Sequence, residues 1–148
     1  MSEEGTVRCG EFKAVRESLS LTAAAMAELL SVSEGTIKNW EKGKYAPSAG
    51  VAAEVGRLEE YTRRCVDAVV ETARSRDEPM VVVWRLSDEM PQGPAGTLGA
   101  AWWRAVAARA RERVAGLEVG YPDELDRLTG SRGRTLGEAI GPSILPPP

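Results

Sequence analysis

Leu21–Gly43, LTAAAMAELLSVSEGTIKNWEKG, is the stretch whose reading decides the fold. It reads as two short helices joined by a tight turn. Thr22 is a good N-cap, its hydroxyl able to accept from an early helical N–H. Met26, Ala27, Leu29 and Leu30 follow at helical spacing. Ser31-Val32-Ser33 breaks the run, and Ser33 caps a second helix through Thr36, Ile37 and Trp40. Lys42-Gly43 closes it, with a base in the last turn and glycine just past it. Ile37 and Trp40 share one face and point inward, which leaves Glu34, Gly35, Lys38 and Asn39 on the other. Ala27 is small enough for a close helix crossing, and Val32 is a compact anchor for the turn. A second helix held across a first in this way can enter a DNA major groove with its N-terminal residues against base edges.

These residues resemble the lambda-repressor-like, or XRE-type, helix-turn-helix family, whose usual run is close to LSxxxLAxxLGVSxxTIxxWExG. Leu21, Thr22, Met26, Ala27, Leu30, Val32, Ser33, Thr36, Ile37, Trp40, Glu41 and Gly43 stand in its places. The resemblance covers roughly residues 11–56, about a third of the chain. It departs at the turn, where the family usually has glycine and this chain has Ser31, a residue that tolerates positive φ poorly. It departs again at Ala23, where many members carry a glutamine that touches phosphate or a base.

The ends and bulk properties bound the rest. A length of 148 residues fits one domain or two small ones. A hydrophobic fraction of 43% suffices for a core. The longest apolar runs, near Ala23–Ala27 and Met80–Trp84, are too short to span a membrane. No basic-then-apolar leader opens the chain. Cys9 and Cys65 lack CxxC spacing, which fits a reduced, cytoplasmic compartment and buried thiols. There is no histidine, which removes His-based triads, HExxH sites and zinc fingers. No metal site or cofactor is expected. Asp88, Glu89, Asp123, Glu124 and Asp126 fall in loop-like or exposed contexts without a nucleophile–base pair, so the chain does not read as an enzyme.

The net charge of −3 weighs against strong nucleic-acid binding. Across residues 33–50, Lys38, Lys42 and Lys44 stand against Glu34 and Glu41. Any DNA affinity should therefore be modest, sensitive to salt and raised by dimerisation. Without the surrounding motif these lysines read as a solvated face.

In chain order, Met1–Gly10 reads as flexible, and Glu11–Leu19 as a first helix with Phe12, Val15 and Leu19 inward. Phe12 is expected against Leu30 and Trp40. Arg16 reaches a phosphate or pairs with a glutamate; both readings stand. Lys44–Ser48 is a loop that Pro47 keeps out of helix. Val51–Ala73 is a long amphipathic helix whose apolar seam outruns a 45-residue domain. Met80–Leu86 is a short strand, Ser87–Gly99 a Pro/Gly-rich connector, and Leu98–Val114 a second long, arginine-rich helix. A second strand at Leu117–Gly120, a helix at Pro122–Leu128 and a mobile tail from Thr129 follow.

The fold class is thus mainly α with a small α+β C-terminal part. A helix-turn-helix domain occupies 11–50, a helix–strand–helix dimerisation region 51–128, and flexible ends 1–10 and 129–148. In architecture this second region resembles that of phage and bacterial regulators, including anti-CRISPR-associated repressors, which dimerise through it.

The resulting expectation is a homodimeric, sequence-specific regulator of transcription, most simply a repressor on an inverted-repeat operator. Glu34, Gly35, Lys38 and Asn39 are the candidate base readers. A first-turn glutamate favouring the helix dipole is the equal rival for Glu34. Thr22, Ser33, Lys42, Lys44 and Tyr45 are the candidate phosphate contacts; Tyr45 could instead cap the small core. Val66, Val69, Val70, Val82, Trp102 and Val106 are the candidate dimer seam, unless the two helices and the strand close on each other within one chain. Two alternatives come from other classes. One is RNA binding, by stacking on the aromatics beside the arginines of Trp102–Arg113. The other is an antitoxin-like module that grips an operon-neighbour protein.

Overall fold

The computed structural model describes residues 6–131 and 133–148. It is mainly α with one small parallel sheet. Among the described residues the order is α1 Cys9–Ser18, α2 Ala23–Leu30, α3 Glu34–Glu41, α4 Ala49–Arg74, β1 Met80–Val82, α5 Pro94–Leu98, α6 Ala100–Arg113, β2 Glu118–Gly120 and α7 Pro122–Ser131. Two compact units divide the chain, the first ending at Tyr61 and the second running from Thr62 to Pro148. The boundary falls inside α4, eleven residues beyond the expected change at 50–51, because the helix does not break there.

In the first unit α1, α2 and α3 close on Phe12, Leu19, Leu21, Met26, Ala27, Ile37 and Trp40, all buried. Phe12 and Trp40 meet edge to face, with ring centroids 5.3 Å apart and planes at 75°. All three helices end in one motif. An N–H two or three residues past the helix returns to a carbonyl five residues back: Leu21 to Arg16, Val32 to Ala27, Lys44 to Asn39. Each needs a left-handed residue just before that N–H. Gly43 supplies it at φ +81°, but Ser20 (φ +53°) and Ser31 (φ +57°) stand in the same conformation. The serine turn is therefore built like a glycine turn.

The second unit is built on a crossover. β1 and β2 are parallel, with Met80 opposite Glu118 and Val82 opposite Gly120. Parallel strands need a long connection, and α6 lies within it. β1 is buried on both faces, as its run of apolar residues requires. On its other edge Ile140 donates to Met80 O at 2.7 Å and accepts from Val82 N at 3.0 Å. The segment from Thr129, expected to be a mobile tail, thus completes α7 and carries Ile140, a residue 1% exposed.

The strand is three residues long where seven were expected, and the carbonyl of its last residue and those of Trp84 and Arg85 go to α6. Trp103 Nε1 donates to Val82 O at 2.7 Å, and Arg104 Nη1 donates to the carbonyls of Trp84 and Arg85.

The apolar seam closes inside the unit. Val66, Val69, Val70, Val82, Trp102 and Val106 are between 0 and 8% exposed in the single chain. Trp102 Nε1 also donates to Thr62 Oγ1 at 3.1 Å. This corrects their assignment to a dimer interface. α4, β1 and α6 satisfy one another's apolar faces, so these side chains meet a second copy only if the unit opens.

Candidate nucleic-acid interface

α3 is anchored from within and bare outside. Ile37 is fully buried and Trp40 5% exposed, which sets the helix's rotation. Glu34, Gly35 and Lys38 are consequently exposed and Asn39 is half-buried. Ser33 Oγ accepts from Thr36 N at 3.0 Å and lies 2.9 Å from Thr36 Oγ1. Thr22 Oγ1 accepts from Ala25 N at 3.0 Å, so both expected caps are formed and both hydroxyls remain at the surface.

Two side-chain relationships lie on the outer face. Lys38 Nζ is 3.9 Å from Glu34 Oε1, one helical turn away, with the two side chains 61% and 51% exposed. Asn39 Nδ2 is 3.5 Å from Tyr45 Oη. Tyr45 is 47% exposed, and its carbonyl accepts from Cys9 Sγ at 3.6 Å, so the loop after α3 is tied to the start of α1. Lys42 and Lys44 are exposed and carry no ion pair among the described residues.

Gly35 is informative because the fold does not need it. A Cβ there would meet only Ser33 Oγ, at 3.7 Å. Glycine is a poor helix former relative to alanine. What a bare α-carbon provides is close approach from outside.

Arg16 resolves towards an ion pair. Its Nε and Nη2 hold Glu41 Oε2 and Oε1 at 2.6 and 2.8 Å, and Nη1 donates to Leu21 O at 2.9 Å. The Glu41 carboxylate holds the guanidinium above its ordinary pKa against the opposing cost of burial. Arg16 is therefore committed inside the unit. Glu41 is drawn off the outer face with it, leaving a more positive surface around Lys42 and Lys44 than the sequence count implied. The sequence carried the signal in the glutamate after Trp40, but its partner lies 25 residues away on α1.

The arginine-rich helix offers no stacking platform. Trp102 and Trp103 are buried at 1% and 0%, with both indole N–H groups used internally. Arg104 bonds loop carbonyls and Arg113 holds Asp67 at 2.6 Å. That burial removes the stacking surface on which the alternative of RNA binding rested.

Compared with known families, residues 12–57 match one described as helix-turn-helix. No curated protein matches the chain. With the geometry above, the segment is an XRE-type helix-turn-helix of the lambda-repressor-like class, and the chain carries a DNA-binding regulatory domain. No helix among the described residues is long and apolar enough to cross a membrane.

Proposed function

We propose that the chain regulates transcription by reading a specific duplex sequence with the outer face of α3, and that it does so as a homodimeric repressor on an inverted repeat. The observation that carries the reading is the opposition on α3: Ile37 and Trp40 locked inward, Glu34, Gly35, Lys38 and Asn39 presented outward. Helices of this kind place base-reading side chains in the major groove. Thr22, Ser33, Lys42, Lys44 and Tyr45 flank that face and suit phosphate contacts.

Dimerisation is proposed on the size of the reader. An eight-residue helix spans one half-site, and modest local charge gives it little affinity alone. Pairing must use surface that the core of the second unit does not consume. Footprinting the full chain on the region upstream of its own coding sequence tests the reading: two protected half-sites about 10 bp apart, or a multiple, are expected. Protection without sequence preference refutes it.

A further inference from the structure

We infer that Glu34 and Lys38 act as one reading unit for a guanine·cytosine base pair, Lys38 donating to the guanine edge and Glu34 accepting from cytosine N4; this rests on α3 being the DNA-reading helix. The two heads lie one turn apart on the exposed face, 3.9 Å from N to O. That separation attracts but exceeds a hydrogen bond. The ammonium keeps its donors and the carboxylate its lone pairs, and both heads stand side by side on the exposed face.

The order of groups on the base-pair edge selects among partners. In the major groove guanine presents two adjacent acceptors, N7 and O6, and cytosine a donor, N4. Donor and acceptors are thus sorted to opposite ends, as the ion pair is. In an adenine·thymine pair the N6 donor lies between the N7 and O4 acceptors, with the thymine methyl beyond. A carboxylate brought to that donor meets lone pairs on both sides.

Electrostatics gives the pair a distinct signature. A lone lysine here would favour every duplex, and a lone glutamate would be repelled by every phosphate backbone. Together they are neutral and add little general attraction. Their contribution appears only where both heads find partners, so they act on discrimination rather than on affinity for any duplex.

The test uses the full chain and a random-sequence 24-bp duplex pool, of about that length so as to hold two half-sites. The wild type enriches a preferred duplex, and each G·C pair in it is replaced in turn by A·T, 7-deazaguanine·cytosine or inosine·cytosine. At one position in each half-site, A·T and 7-deazaguanine should weaken binding roughly 5- to 150-fold, while inosine, unchanged in the major groove, leaves it intact. Glu34→Met, which removes both charge and acceptor, should weaken the discrimination against A·T and tighten binding to unrelated duplex; Lys38→Met should abolish the sensitivity to 7-deazaguanine and weaken unrelated binding. Both substitutions lie on the surface, and melting curves monitor their folding. A motif whose G·C discrimination survives both substitutions overturns the pair and leaves α3 as the reader. Failure of the wild type to enrich any motif overturns the DNA-reading function, and the pair with it.

Discussion

The guanidinium of Arg16 grips the carboxylate of Glu41 at two points, 2.6 and 2.8 Å, and so fastens α1 to the last turn of α3. The side chains are only 15% and 10% exposed. Bidentate geometry and partial burial separate this pair from an ordinary surface ion pair. Glu41→Gln, which keeps shape and loses charge, should destabilise the first unit by about 2–3 kcal/mol, since it leaves a half-buried guanidinium underpaired. Amide hydrogen exchange of α1–α3 at increasing urea measures it, since Trp84, Trp102 and Trp103 would mask Trp40 in fluorescence. A loss below about 0.5 kcal/mol would place the pair among surface contacts.

Ser31 stands at φ +57° and ψ +42°, in the motif that Gly43 completes after α3. Left-handed backbone costs a residue with a β-carbon about 1–2 kcal/mol. Glycine removes that cost but loses more entropy on folding. Ser31→Gly should therefore stabilise the unit by up to about 1 kcal/mol, read as a raised thermal midpoint. Ser20→Gly should act in the same direction.

Gly35→Ala separates stability from function. The added methyl meets only Ser33 Oγ and improves helix propensity, so stability should rise by about 0.5–1 kcal/mol. If the proposed placement of α3 holds, sequence-specific DNA affinity should fall, because the methyl would stand between the helix and the bases. Melting and duplex titration on the same preparation compare the two.

In the second unit, Arg85 donates to Asp123 Oδ1 and Oδ2 at 2.9 and 3.2 Å while its guanidinium lies 3.9 Å above the Tyr121 ring. The hydrogen bonds from Arg85 hold the Asp123 carboxyl below its ordinary value of 3.8. A depressed carboxyl pKa stabilises the fold above that ordinary value, and the contribution disappears as the pH falls through the depressed one. The difference in thermal midpoint between the wild type and Asp123→Asn should thus be present at neutral pH and vanish in acid. Both groups are exposed, so about 1 M salt should shrink it as well.

The sequence carried the first unit almost whole. Thr22 and Ser33 as caps and Ile37 and Trp40 as inward anchors follow from local spacing and side-chain chemistry, which act over one or two turns; Phe12 beside Trp40 joins α1 to α3 and follows instead from its being the lone phenylalanine of a small core. The second unit was legible as elements but not as partners. Periodicity says that Val66, Val69, Val70 and Val106 are covered; it does not say whether the cover belongs to the same chain. The partners of the carbonyls at and just beyond the end of β1 were hidden because Trp103 and Arg104 lie about twenty residues further on. Trp103 escaped notice because a single inward stripe through Trp102 leaves the next residue off the face, whereas α6 is buried over a wider arc. Ile140 lay in a stretch rich in glycine and proline, where one apolar residue gives no period to read.

The most direct measurement is a pair of titrations on selected and unrelated duplex, with Lys38→Ala and Lys44→Ala beside the wild type. If α3 reads bases, Lys38→Ala should weaken binding to the selected duplex by about 1–3 kcal/mol and reduce discrimination. Lys44→Ala, at a proposed phosphate contact, should weaken all sequences alike and flatten the salt dependence by about one charge. Discrimination that survives Lys38→Ala unchanged would contradict the placement of α3 against the bases.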